Sequence, residues 1–135
     1  MKLVVDANIL FSALIKEGMT KKILFDLSYE LYSPAFIFEE FKKHQNEILF
    51  KTHRTNEEFY KILESLKEII SFVPDEDFTD YIEGAEKICP DYDDSAYFAL
   101  ALKLNCGIWT EDKKLKEQNK INIYSTKDLI EKCEK

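Results

Sequence analysis

The chain predicts one α/β domain over residues 1–135, a three-layer α/β/α arrangement with a central, mostly parallel five-stranded sheet. Short apolar runs alternate with longer segments of helical periodicity, which is the pattern of β-α crossovers in a parallel sheet. A chain of 135 residues forms a single domain that buries roughly two-thirds of its unfolded surface. Only three glycines and three prolines occur, so we expect long regular elements with short connections.

Five short segments have the composition of strands. The first contains Leu3-Val4-Val5, an unbroken apolar run that is typical of a strand buried on both faces. The fourth follows Gly107, which ends the preceding helix. We expect strands at about residues 2–5, 30–33, 71–74, 108–110 and 121–124.

Helical periodicity fills the segments between these strands. Asn8 is expected to cap the first helix, and Pro34 to occupy the first turn of the third. Thr55 to Glu58 forms a helix start with acidic residues where the helix dipole favours them. Pro90 ends one helix, and Ala96, Ala99 and Ala101 would let the next approach the sheet closely. We expect helices at about residues 8–15, from Gly18 to 28, 34–50, 55–70, 76–88, 93–104 and 126–133, with a short helical turn at 113–118.

Composition indicates a cytoplasmic protein without a membrane segment. Hydrophobic residues make up 45% and charged residues 33% of the chain, which is ordinary for a globular protein. No apolar run approaches the roughly 20 residues that a membrane span requires, and no signal peptide is recognisable. Cys89, Cys106 and Cys133 contain no C-x-x-C pair, so we expect reduced thiols.

The net charge of −7 is unusual for a protein that binds nucleic acid, because such proteins usually carry a basic surface. Two lysine clusters could supply a local basic rim. They are Lys42-Lys43-His44 and Lys113-Lys114-Lys116. Each cluster is equally compatible with a solvated helix face, and both interpretations stay open.

Four acidic residues are placed where a parallel sheet would collect them. Asp6 and Asp112 follow predicted strands, whereas Glu40 and Asp94 lie near helix starts. In open α/β sheets, ligands bind at the carboxyl ends of the strands. Carboxylates gathered there repel one another unless a cation joins them, and oxygen-only ligands suit Mg²⁺ or Mn²⁺. Taken singly, each acid is also explained as a helix cap or a surface residue.

Four motifs follow one another along the chain: VVDANIL, a Glu before an apolar residue shortly after Pro34, DYDDSAYFALAL and WTEDKKL. They resemble the motifs of the PIN-domain family, a nuclease family that includes toxins of prokaryotic toxin–antitoxin pairs. The resemblance implies a PIN-like sheet of order 3-2-1-4-5, frequent homodimers and, in toxins, an antitoxin partner that covers the site.

The resemblance also assigns the site residues. The metal-binding acids fall on Asp6, Glu40, Asp94 and Asp112. Supporting positions fall on Asn8, Thr110 and Asp91, and Ser95 replaces the more usual Ala. The implied activity is hydrolysis of RNA phosphodiester bonds with one or two Mg²⁺ or Mn²⁺ ions. Lys42, Lys43, Lys113 and Lys114 are candidates for contacting the substrate.

Three alternatives remain at the level of sequence. A non-catalytic PIN-fold module would bind RNA or a protein, and a DNA-directed nuclease would use the same acids. A receiver-like phospho-acceptor domain also gathers acids at strand ends. It would need adjacent acids after the first strand, and here Ala7 and Asn8 follow Asp6.

Overall fold

Five parallel strands form one sheet at the centre of the molecule. The computed structural model describes residues 1–15 and 18–133, so residues 16–17 and 134–135 of the predicted domain lie outside the described part. The strands are β1 (Lys2–Val5), β2 (Glu30–Pro34), β3 (Ile70–Val73), β4 (Gly107–Trp109) and β5 (Ile123–Tyr124). Their order is β3-β2-β1-β4-β5, and every neighbouring pair is parallel. The predicted strand number and the implied order are confirmed.

Strand β1 occupies the centre of the sheet because its sequence allows burial on both faces. Leu3, Val4 and Val5 are all fully buried, although successive side chains of a strand point to opposite faces. Val4 lies opposite Tyr32 of β2 on one side and Ile108 of β4 on the other. The residue that follows β1 is therefore held between two neighbouring strands.

Helices lie on both faces of the sheet and complete a three-layer α/β/α fold. The described residues form α1 (Ala7–Ile15), α2 (Met19–Leu24), α3 (Ile37–Lys43), α4 (Gln45–Thr52), α5 (Asn56–Ile69), α6 (Ile82–Ile88), α7 (Ser95–Leu104) and α8 (Thr126–Cys133). Helix α7 packs on β1, β2 and β4, and its small residues Ala99 and Ala101 are buried as expected. Among the described helices, none has the length and apolar character needed to cross a membrane.

The predicted start of α5 is confirmed in detail. The Glu58 amide donates to Thr55 Oγ1 at 3.2 Å, and the Thr55 amide donates to Glu58 Oε1 at 3.2 Å. This reciprocal pair is a capping box, which satisfies two amides that the first helical turn leaves without partners. Phe59, Leu63 and Leu66 then bury one face of the helix.

Two predicted helices differ from the observed ones. Pro34 is not in a helix: it is the last residue of β2 and pairs with Val73 of β3. The helix predicted for residues 34–50 is divided into α3 and α4 at His44. The helix predicted to reach residue 28 ends at Leu24, and Leu27 is 94% exposed instead of packed.

Short 3₁₀ turns replace other parts of the predicted helices. Residues 75–77 and 79–81 form two such turns before α6, and residues 92–94 form another before α7. A fourth turn covers residues 113–117, close to the predicted helical turn. The turns at 92–94 and 113–117 both border the carboxyl ends of the strands, so their loops contribute side chains to that edge.

Candidate metal centre

The strand order creates a crevice between the ends of β1 and β4. From β1 the chain continues to β2 and β3 on one side of the sheet, whereas β4 and β5 lie on the other. Such a reversal of strand order opens a binding crevice at the carboxyl ends of the strands. The Asp6 amide donates to the Trp109 carbonyl oxygen at 3.1 Å. Asp6 and the residues that follow β4 are therefore neighbours at this crevice.

Asp6 is a buried carboxylate with fixed orientation. Its Oδ2 accepts a hydrogen bond from the Thr110 hydroxyl at 2.7 Å, and its Oδ1 accepts one from the Asn8 amide at 3.3 Å. Asp6, and not Asn8 as predicted, thus caps α1, and Asn8 is exposed in the first turn. Burial raises the pKa of Asp6, these hydrogen bonds oppose the rise, and the charge of Asp112 adds to it.

Thr110 connects two of the predicted acids. It is buried, and its Oγ1 donates to Asp6 while accepting the Asp112 amide at 3.1 Å. Asp112 Oδ1 in turn accepts the Lys114 amide at 3.0 Å and caps the turn at 113–117. Asp112 therefore caps a turn, as the simpler interpretation proposed, and also lies at the crevice.

Three carboxylates form the tightest acidic cluster among the described residues. Oxygen atoms of Asp91, Asp94 and Asp112 lie within 4.8 Å of one another. The loop before α7 positions the first two, because Asp91 Oδ1 accepts the Asp93 amide at 3.1 Å and the Asp91 carbonyl accepts the Asp94 amide at 2.9 Å. Cys89 Sγ donates to the same carbonyl at 2.8 Å. The predicted Asp94 and Asp112 are brought together, and Asp91 joins them.

The acids at this edge repel one another. The pKa of Asp94 is raised to about 6, first by burial and then by the charges of Asp6, Asp91, Asp112 and Asp93. In the described part of the chain, no salt bridge supplies a side-chain cation to Asp6 or to the cluster. A set of carboxylate oxygens without a neighbouring cation fits a hard divalent ion such as Mg²⁺ or Mn²⁺.

Tyr97 is a residue of this site that the sequence analysis missed. Its hydroxyl accepts the Ala7 amide at 3.2 Å. Burial raises the pKa of Tyr97, and the charges of Asp6, Asp94 and Glu40 raise it further. Tyr97 follows Asp94 by three residues, a spacing that places two side chains on one face of a helix. That spacing is the signal that could have identified it.

The remaining predicted residues surround the cluster. Glu40 is outside the trio; its side chain is half-exposed and lies 3.8 Å from His44 Nε2. Its charge nevertheless raises the pKa of Tyr97, as do the charges of Asp6 and Asp94. The four candidate lysines are all exposed, two in the last turn of α3 and two in the turn at 113–117: Lys42, Lys43, Lys113 and Lys114.

Comparison with known proteins agrees with this architecture. A family model described as PIN domain matches residues 4–126 of the chain. The matched range begins in β1 and ends at the first residue of α8, so it contains part of β1, all of β2 to β5 and every acid discussed above. No curated protein matches the chain.

Proposed function

The chain belongs to the PIN-domain family, whose fold is of nuclease type, and from this membership we propose that it is a metal-dependent ribonuclease. The observation that carries the proposal is the carboxylate trio of Asp91, Asp94 and Asp112, with oxygens within 4.8 Å, beside the buried Asp6. Mutual repulsion of these acids stores an unfavourable energy that a divalent cation would relieve. The binding of Mg²⁺ or Mn²⁺ is therefore the central expectation.

The acids differ in how directly they would bind an ion in this proposal. Asp6, Asp94 and Asp112 would hold one or two ions, and Glu40 would bind directly or through water. Asp91 is close enough to Asp94 and Asp112 to act as a further ligand. When bound, such an ion supplies a water of lowered pKa and neutralises charge on the phosphoryl oxygens. Thr110 and Tyr97 keep Asp6 and the start of α1 in place through their hydroxyl groups.

RNA is the proposed substrate, and local clusters of positive charge on the protein surface support that choice. The chain is acidic overall, so the attraction for phosphate has to come from the bound ion and from nearby lysines. Lys113 and Lys114 follow Asp112 directly and are exposed; Lys42 and Lys43 follow Glu40 by two and three residues. The fold, the acids and the lysines support an endoribonuclease as the finer form of this proposal, and the family resemblance adds the expectation of a cytoplasmic toxin.

A homodimer and an antitoxin partner are further expectations from the family. Large apolar side chains lie exposed on α4 and α5 and at the two ends of α2, which supports an intermolecular surface there. They include Met19, Phe25, Phe50 and Tyr60. Sedimentation of the purified chain tests the dimer, and serine substitution of Phe50, which is 82% exposed, is expected to weaken it.

The first experiment is thermal unfolding with a chelator, Mg²⁺ or Mn²⁺, followed by cleavage of single-stranded RNA. A ligand that binds only the folded state at ~100-fold its Kd stabilises that state by about 2.7 kcal/mol. We expect this stabilisation in the wild type and its loss in Asp94→Asn, together with a loss of cleavage by orders of magnitude. Asp94 makes no side-chain cap at α7, so the asparagine variant should fold.

Asp93→Asn is the matched control because it removes the same charge from the same loop without taking a carboxylate from the trio. It should keep the metal response and the cleavage. Equal losses in both variants would attribute the effect to net charge and refute the proposed site. A metal response without cleavage would favour the non-catalytic module, and faster cleavage of DNA than of RNA would favour the DNA-directed nuclease.

A further inference from the structure

A cavity adjoins the candidate metal centre on the side of α1 and α4. Its volume is about 270 Å³, slightly below the ~300–1,000 Å³ of pockets that hold drug-sized ligands. Asn8 lines it, and the Asn8 amide is bonded to Asp6. His44 also lines it and lies 3.8 Å from Glu40. Two of the residues that line the cavity therefore each contact a proposed metal-binding acid.

The apolar part of the cavity has a rigid aromatic ring. Phe11, Ile15 and Ile48 form this apolar part of the cavity, and Phe11 supplies the ring. The Phe11 ring makes an edge contact with the fully buried Phe41, with centroids 4.9 Å apart, and another with His44 at 5.8 Å. A ring held by two such contacts is already ordered, so a ligand that stacks on it pays little conformational entropy.

The polar part of the cavity offers both hydrogen-bond donors and acceptors. Glu47 lies between Lys51 and His44, with Lys51 Nζ at 2.9 Å and His44 Nδ1 at 3.4 Å from its carboxylate oxygens. Lys51 lowers the pKa of Glu47, and His44 acts in the same direction. The Asn8 side chain adds an amide, which both donates and accepts.

We propose that this cavity is a nucleobase subsite, which holds one unstacked base of a single-stranded RNA whose phosphate lies at the acids. This inference rests on the proposed ribonuclease function. Single-stranded RNA is recognised through bases that stack on aromatic or histidine rings and bond through their polar edges. One aromatic ring and two aliphatic side chains beside an amide, a carboxylate and an ammonium group match such a ligand. Because Asn8 and His44 contact Asp6 and Glu40, a base held here would lie close to the phosphate at the metal centre.

The test combines abasic scanning of the RNA with substitution of the protein. A short fluorescent single-stranded RNA is compared with variants that each lack one base, by equilibrium binding in chelator and by cleavage in Mn²⁺. Stacking on one aromatic residue changes the affinity by about 5- to 150-fold. We expect a loss of this size at one position of the RNA. In Phe11→Ala, we expect the intact RNA to lose a similar factor and the abasic substitution at that position to cost nothing more.

Tyr81→Ala is the matched control, since it removes an exposed aromatic ring from the turn at residues 79–81 and Tyr81 does not line the cavity. It should keep the full abasic penalty. His44→Ala provides a second test should Phe11→Ala fail to fold, because the His44 side chain is exposed and lies outside the core. An even penalty along the RNA, or the same penalty in wild type and both cavity variants, would overturn the subsite.

The two proposals fail in different ways. Position-specific binding in chelator that persists without any Mn²⁺-dependent cleavage would support the subsite and refute the nuclease. Metal-dependent cleavage with no position-specific penalty would support the nuclease and refute the subsite.

Discussion

Thr110 is the residue on which the geometry of the acidic edge most depends. One buried hydroxyl donates to Asp6 and accepts the Asp112 amide, so it fixes a carboxylate after β1 relative to the loop after β4. Valine has nearly the same shape but cannot form either bond. In Thr110→Val, Asp6 loses its shortest hydrogen bond, and the pKa of Asp6 should rise further because burial then acts with less opposition.

We expect Thr110→Val to destabilise the fold by about 1–3 kcal/mol, the usual cost of leaving buried polar groups without partners. Mn²⁺ affinity should fall as well, since the ligands lose their mutual orientation. Urea unfolding followed through the buried Trp109 measures the first effect, and titration with Mn²⁺ measures the second. Thr110→Ser keeps the hydroxyl and is the control. A serine variant as impaired as the valine variant would show that the methyl group, and not the hydrogen bonds, matters.

Individual site residues were predictable where a strand fixes their position. Asp6 and Thr110 follow short buried strands, and their contact follows from the adjacency of β1 and β4. The closeness of Asp91 to Asp112 was not predictable, because it depends on the loop bonds that close the 3₁₀ turn at 92–94. Asn8 was expected to cap α1, but Asp6 is one position before the helix and its carboxylate reaches the Asn8 amide first.

At the scale of elements, Gly107 determines how closely β4 and β5 can approach. A Cβ at this position would lie 2.7 Å from the Tyr124 ring and 2.8 Å from the Asn122 carbonyl oxygen. That carbonyl cannot easily move, because it accepts the Ile108 amide at 2.9 Å. We expect Gly107→Ala to destabilise the fold by about 1–3 kcal/mol through overpacking, as measured by urea unfolding.

Gly84 provides the contrasting substitution. It is exposed in α6, and the nearest atom to an added Cβ is Leu102 Cδ1 at 3.8 Å, an ordinary contact. Gly84→Ala should stabilise the protein by about 0.4–1 kcal/mol by restricting the unfolded chain. Should Gly107→Ala prove as stable as the wild type, the packing of β5 on β4 would have to be looser than these distances indicate.

Element boundaries were predicted less well than element types, and two residues show why. Pro34 matches the first turn of a helix, but the pairing with Val73 extends β2 to include it, and proline is tolerated there because the strand ends. His44 has no local signal for a helix break, since it is neither glycine nor proline. Phe41 and Ile48 on either side both enter the core, and their spacing of seven residues is also that of one face of an unbroken helix, so the periodicity predicted a single helix.

At the scale of the whole molecule, the fold brings several acidic side chains of a negatively charged protein to one edge of the sheet, where they repel one another. The sheet order could be expected from the family resemblance, and the alternation of strands and helices was readable from hydrophobic periodicity alone. The raised pKa values of Asp6 and Asp94 could not be predicted from the sequence, because the depth of burial of these two residues depends on how α7 packs against the sheet. Burial is the largest cause of the raised pKa of both residues.

Raised pKa values have a definite sign in the pH dependence of stability. Above the unfolded pKa but below the folded pKa, the native state holds a proton that the unfolded state has released, so the free energy of unfolding decreases as pH rises. For Asp94 this interval extends from its ordinary pKa of 3.8 to about 6. Asp128 behaves oppositely, because Lys116 lowers its pKa to about 2. The stability that Asp128 contributes is present above its ordinary pKa of 3.8 and is lost as the pH falls toward about 2.

We therefore expect the metal-free protein to lose stability between about pH 5 and about pH 6, where the unfolded carboxyls are already ionised and folded Asp94 still holds its proton. Asp94→Asn should flatten this dependence and be the more stable protein at neutral pH in chelator. Saturating Mn²⁺ should reverse the slope, since the ion binds the deprotonated acids and its stabilisation grows with pH. Urea unfolding at several pH values, with chelator and with Mn²⁺, measures all three effects. A wild-type slope that is unchanged by Mn²⁺ would show that the acids at this edge do not bind the ion, and that the charge they concentrate has another purpose.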